Sequence, residues 1–119
     1  MKSFIINRIR SIRYAFKGAY LLFKNEASIQ TQAIIAVLTT IAGFYFQISP
    51  TQWTIQLLTI AAIMGVEGMN TAIEEIADFI HPDHHEKIGK IKDLAAGAVF
   101  IVAIVAILIG AIIYFPKIF

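Results

Sequence analysis

A chain of 119 residues is the size of one domain, and with no cysteine in it disulfide bonds and thiolate chemistry are excluded. Hydrophobic residues make up 58% of the sequence, above the share of an ordinary soluble domain, and they crowd into two charge-free stretches, 27–66 and 94–116. A membrane crossing takes roughly 20 apolar residues, so these stretches hold three crossings, and a water-soluble protein is excluded.

Residues 3–24 have helical period. Ile5, Ile9, Ile12, Phe16, Ala19, Tyr20 and Phe23 share one broad face, and Arg10, Arg13, Lys17 and Lys24 border it, with Arg8 the one cation out of place. An apolar face edged by cations describes a helix lying in the headgroup layer of an anionic leaflet; an ordinary helix packed on the rest of the protein is the alternative. The same interleaving leaves no compact apolar segment of the kind a cleavable signal peptide needs. The first span is expected at about 29–47. Ser49-Pro50 separates it from a second at about 50–79, because proline ends one helix or opens the next.

Between the second and third spans lies His81-Pro82-Asp83-His84-His85-Glu86. Three histidines near two acids invite a zinc reading, but ligands this close together rarely close a tetrahedral shell. The loop is read as structural: Pro82 breaks the helix, and Asp83 with Glu86 forms a capping box for the next one. The third span is expected at about 94–115, with Ala96, Ala103 and Gly110 recurring every seven positions as a close-packing seam, within the protomer or between copies.

Lys2, Arg8, Arg10, Arg13, Lys17 and Lys24 precede the first span, Lys87, Lys90 and Lys92 precede the third, and the turn 47–52 carries no charge. The positive-inside rule therefore places the N-terminus and the 79–93 connection in the cytoplasm and the C-terminus outside, Lys117 being a minor exception. The fold expected is an all-α membrane protein: a single domain over 1–119, in which an N-terminal amphipathic surface helix is followed by three transmembrane helices in a helical bundle. So thin a bundle is expected to self-associate. There is no glycine-rich phosphate loop, and no nucleic-acid partner is expected.

The chemistry concentrates in Glu67-Gly-Met-Asn70-Thr-Ala-Ile-Glu74-Glu75-Ile-Ala-Asp78. On a helix from Pro50, Glu67, Asn70, Glu74 and Asp78 fall within roughly 80° of one another, while Glu75 falls away from them. Such a helix is about 45 Å long, so its last turns leave the hydrocarbon core and the stripe runs from the membrane boundary outward. Ionisable groups at that depth usually face a cavity or a partner and mark function; pairing with cations of the N-terminal helix, as glue for the bundle, is the competing reading. Clustered carboxylates can hold a hard divalent cation, and a carboxylate in a partly dry site can act as general base. Glu26 at the mouth of the first span and Lys92-Asp93 at the mouth of the third lie at similar depth. Carboxylates for a metal, a lysine for phosphate and an interfacial location suggest phosphoryl transfer to a lipid headgroup. The spacing also fits a small proton-coupled transporter using an intramembrane glutamate, which would have no need of Lys92, Asp93 or a basic surface helix. A structural or regulatory membrane subunit, with charges serving only assembly, is a third reading.

The stretch from Glu67 to Asp78 closely resembles the signature of the prokaryotic diacylglycerol kinase family, which includes the undecaprenol kinases. Tyr14-Ala-Phe-Lys17-Gly18, Asn25-Glu26-Ala27, His85, and Lys92-Asp93 followed by Leu-Ala-Ala-Gly-Ala-Val resemble its other motifs, in order and over nearly the whole chain. The resemblance implies a homotrimer in the bacterial inner membrane, with active sites between neighbouring subunits. It implies transfer of the ATP γ-phosphate to a lipid hydroxyl, giving phosphatidic acid from diacylglycerol or undecaprenyl phosphate from undecaprenol. By position, Glu67 would be the general base, and Glu26 and Glu74 would hold Mg2+. Asn70 would position substrate or phosphate, and Lys92 would meet the phosphates. Asp78 and Asp93 would support the nucleotide site, and Tyr14 and Lys17 would lie near the nucleotide. Two departures stand out. Gln30-Thr31-Gln32 replaces an arginine followed by an acid or histidine, which bears on lipid choice, and Ala77 replaces a larger branched residue, which bears on packing.

Overall fold

The computed structural model describes all residues from Met1 to Phe119 as four helices with no strand. α1 spans Lys2–Asn25, α2 Ala27–Tyr45, α3 Pro50–Ile80 and α4 Glu86–Ile118. α2, α3 and α4 are long and apolar enough to cross a membrane. Only 8 of 119 residues are buried, too few for a core that water could drive together, and large apolar side chains line the outside of the three spans. Those surfaces suit contact with lipid chains, so burial is reserved for the faces between helices.

α1 lies apart from the bundle. None of its residues is buried, and Leu22 alone is half-buried, set against Gly68 of α3. The protein measures 50 × 48 × 22 Å. Three helices packed at about 8–10 Å between axes cannot fill 48 Å sideways, so α1 extends laterally from the spans, as a surface helix should. Arg8, misplaced by periodicity, lays its guanidinium over the Phe4 ring at 5.1 Å, one turn back on the same face. A single extended residue, Glu26, joins α1 to α2. The Gln30 side chain closes this elbow by donating to the carbonyls of Phe23 (3.0 Å) and Lys24 (3.1 Å) at the C-terminus of α1.

α2 ends at Tyr45, two residues before the expected boundary, because a Schellman turn stops it. Ile48 N–H donates to Gly43 O (3.1 Å), Gln47 N–H donates to Phe44 O (3.3 Å), and Gln47 takes the left-handed conformation at φ 52°. Ser49 and Gln52 then form a reciprocal capping box with Pro50 in the first turn of α3, a Ser-x-x-Gln signature legible in the sequence but not picked out there. The turn closes on Gly43, where an added Cβ would lie 2.7 Å from the Trp53 ring and 3.1 Å from Ile48. Gly43→Ala is therefore expected to destabilise the protein by about 1–3 kcal/mol, measured as a lower thermal unfolding midpoint in detergent.

The cap of α4 differs from expectation. Asp83 and Glu86 do not form a capping box; the helix begins at Glu86, and the ring of His85 is the cap, its Nδ1 accepting from Lys87 N–H at 3.1 Å. His81 Nδ1 bonds the carbonyl of Asp83 (2.7 Å), and the rings of His81 and His85 stand 4.9 Å apart, so two of the three histidines hold the loop together. α4 also runs on through Pro116 to Ile118 instead of stopping at 115.

α3 and α4 form the main pairing of the bundle. Two polar ties join them, Gln56 with Tyr114 at one end and Asp78 with Lys92 at the other, 22 residues apart along both helices. The antiparallel register is thus constant over about 33 Å. It brings Ile60 level with Gly110, Glu67 with Ala103 and Glu74 with Ala96. The seven-residue recurrence of small residues on α4 thereby matches a seven-residue recurrence of larger ones on α3. Ala103 and Gly110 are half-buried and Ala96 is exposed, so part of this seam is used within the protomer.

Candidate active site

The face that α3 turns inward carries Gln56, Glu67, Asn70 and Ala77, its four buried residues. Glu67 retains 8% exposure and Asn70 9%, values rare for a carboxylate and an amide without firm partners. One turn on, Glu74 is half-buried, and its Oε1 accepts from Asn70 Nδ2 at 3.2 Å. The other face of the Asn70 amide is open: Oδ1 is buried and makes no hydrogen bond. Ala77 is buried beside the stripe, which agrees with a packing role for that departure. Asp78 emerges at the rim, ion-paired with Lys92 of α4. Glu75 is exposed and off the stripe, as helical geometry requires.

Within this chain nothing ties the stripe to α1 as the glue reading requires. The single ion pair of the protein is Lys92 with Asp78, and no cation of α1 pairs with the stripe. Glu67 is buried without a counter-ion, and a buried acid left so is costly to keep for structure alone.

Glu26 sits half-buried at the α1–α2 elbow. Its N–H donates to Leu22 O (3.1 Å), and Leu22 abuts Gly68, so the elbow lies at the level of Glu67 and Gly68. Asp93 is exposed on the first turns of α4. Tyr14 and Lys17 are exposed on α1, about 12 and 8 Å along the helix from Leu22. One protomer thus sets Glu67, Asn70 and Glu74 along one face, ties Asp78 to Lys92, brings Glu26 to the level of Glu67, and leaves Tyr14 and Lys17 apart.

Beside the Asp78–Lys92 pair, a shallow polar cleft of about 110 Å3 is lined by His81, Asp83, His84, His85, Gly89 and Lys92. Sequence reasoning treated those histidines as loop alone and gave no hint that they wall a cleft against Lys92. Another feature it missed is the tie at the far end of the bundle. Tyr114 OH donates to Gln56 Oε1 and lies 3.1 Å from Thr39 O, while Gln56 Nε2 donates to Thr39 O at 3.2 Å. The available signal was one glutamine and one tyrosine inside otherwise apolar spans, where polar groups must find partners.

The family profile described as prokaryotic diacylglycerol kinase matches residues 13–114. An undecaprenol kinase of Bacillus subtilis is 35% identical over 113 residues, covering 94% of this chain and 92% of its own. A diacylglycerol kinase of Haemophilus influenzae is 29% identical over 108 residues (90% and 92%), and one of Escherichia coli K12 is 28% identical over 100 residues (84% and 82%). The chain belongs to the prokaryotic diacylglycerol kinase family. It is a multi-pass membrane lipid kinase, a phosphotransferase whose acceptor is an alcohol and whose reaction depends on a nucleotide.

Proposed function

From that membership we propose that the protein transfers the γ-phosphate of ATP, with Mg2+, to the hydroxyl of a membrane lipid, undecaprenol first and diacylglycerol second. The observation that carries the site assignment is the pair formed by Glu67, buried without a counter-ion, and Asn70, whose Oδ1 is buried without a partner. Asn70 Oδ1 accepts the single hydrogen bond of the lipid hydroxyl as it enters; the hydroxyl then turns its proton to Glu67, which takes it as the oxygen attacks phosphorus and the bond to ADP breaks. Asn70 Nδ2 meanwhile fixes Glu74. Glu74 and Glu26 are half-buried hard oxygen donors, the ligand type a magnesium ion takes while it keeps water and phosphate oxygens in its shell. When bound, that ion would neutralise phosphate charge. Lys92 is held at the rim by Asp78 and can turn to the phosphates, and the polar cleft beside it has room for one phosphate group of the nucleotide, with Asp93 in support.

Tyr14 and Lys17 are too far along α1 to serve their own protomer's stripe, which supports a homotrimer whose sites form between neighbouring subunits. The distribution of cations supports the bacterial inner membrane with this end cytoplasmic and the C-terminus outside. Undecaprenol is favoured by the higher identity to the undecaprenol kinase, 35% against 28–29% for the diacylglycerol kinases. The test is phosphorylation by the purified protein in detergent, with radiolabelled ATP, magnesium and either lipid. Faster labelling of undecaprenol is expected; faster labelling of diacylglycerol reverses the order, and labelling of neither overturns the reading.

A further inference from the structure

A cavity of about 120 Å3 lies among the three spans on the membrane side of the stripe. Its walls are mostly aliphatic: Ile60 and Ile63 of α3, and Ala106, Ile109 and Ile113 of α4. Its floor is the far tie of Thr39, Gln56 and Tyr114, whose polar groups satisfy one another. Ile63 is one helical turn from Glu67 on the same face, so the cavity begins directly below the buried carboxylate. From Ile63 to Gln56 it runs about 10 Å along α3. Its last wall residue toward the stripe on α2 is Gln32, whose Oε1 is buried and without a partner.

Resting on the reading of Glu67 as the base that meets the lipid hydroxyl, we infer that this cavity is the seat of one hydrocarbon chain of the acceptor lipid. Size selects the occupant: an apolar cavity of about 150 Å3 takes one benzene ring, so this one takes a single isoprene unit or a similar stretch of one acyl chain, not two chains abreast. The satisfied polar floor stops the chain, and whatever is longer leaves sideways between helices into the bilayer. Gln32 is where the oxygen-bearing end of the lipid passes on its way to Glu67, and its carboxamide is free to meet that oxygen. The slot binds one such unit within the part of the chain roughly 5–15 Å from the hydroxyl, the reach set by helical rise from Glu67.

Gly110 gives a direct way to plug it, because a Cβ there meets no atom within 4 Å although the residue lines the cavity. Gly110→Leu and Ala106→Leu are assayed with undecaprenol, with dioleoylglycerol, and with dibutyrylglycerol, whose chains are too short to enter. The expected result is a KM for both long-chain lipids raised about tenfold or more, with KM for ATP and turnover of dibutyrylglycerol unchanged. A shift for one lipid alone identifies which chain uses the slot. Unchanged long-chain KM values in both variants overturn the inference while leaving the kinase reading intact; a wild-type protein that labels no lipid overturns the kinase reading itself. A readout independent of turnover is photocrosslinking by a long-chain alcohol with a diazirine about eight carbons from its hydroxyl. Labelled peptides containing Ile60–Ile63 or Ala106–Ile113, lost in Gly110→Leu, are expected. Labelling confined to the outward surfaces of the spans refutes the slot, and it remains decisive if the plugged variants fail to fold.

Discussion

Glu67→Gln is expected to lower kcat for lipid phosphorylation by roughly 10²–10⁴-fold, the range contributed by a well-placed general base. The amide keeps the shape and hydrogen-bonding reach of the side chain but cannot accept the hydroxyl proton. KM for ATP should hardly move, because Glu67 faces the inside of the bundle while Lys92 and the polar cleft lie at the rim. Stability provides the control. An uncharged amide is cheaper to bury than a carboxylate without a counter-ion, so the unfolding midpoint in detergent should stay level or rise. A variant that folds as well as wild type and keeps its turnover would remove Glu67 from the chemistry and return it to assembly. Asn70→Leu is the companion change. It removes both the free Oδ1 and the donor to Glu74, so it should weaken lipid binding and metal dependence together.

Most of what makes this site was legible because a helix has one period. Glu67, Asn70 and Glu74 share a face at their spacing alone, and the same arithmetic set Glu75 aside; the structure buries the first two and leaves Glu75 exposed. Span number followed from the length of charge-free sequence, and lateral placement of α1 from its cation-edged face. What periodicity cannot give is level. Tyr114 and Thr39 are separated by 75 residues, and their pairing depends on where α2, α3 and α4 come to rest along one another. The cavity is invisible in sequence for the same reason: its walls come from three helices and its floor from a tie between them. Local competition accounts for the error at the α4 cap. Asp83 is a better generic cap than histidine, but Pro82 and the bond from His81 to Asp83 O fix the loop so that His85 is the residue standing at the first turn. At Gln30, the side chain satisfies two carbonyls that the end of α1 leaves open, a contact that no spacing rule picks out.

If Glu26 and Glu74 hold magnesium as proposed, they carry the second large expected effect, on metal rather than proton. Replacing either by glutamine should raise the magnesium concentration for half-maximal activity by at least about tenfold, since a charge-assisted contact is worth about 1.5–3 kcal/mol. KM for the lipid should stay near the wild-type value. If the two carboxylates share one ion, the double variant should cost clearly less than the two single costs combined, because the second loss acts on a site already impaired. Strict additivity would mean that they serve separate sites. Subunit mixing then decides where the pair meets. Glu26 stands on the elbow of α1 and α2, and Glu74 on α3, with Asn70 directing one oxygen of Glu74. In sites built between neighbours, assembling Glu26→Gln subunits with Glu74→Gln subunits leaves some interfaces with both native carboxylates. At a magnesium concentration too low for either variant alone, activity should then reappear in the mixture. Failure to recover activity in verified mixed oligomers would place both ligands on one protomer, and Tyr14 and Lys17 would lose their reason to reach a neighbour's nucleotide.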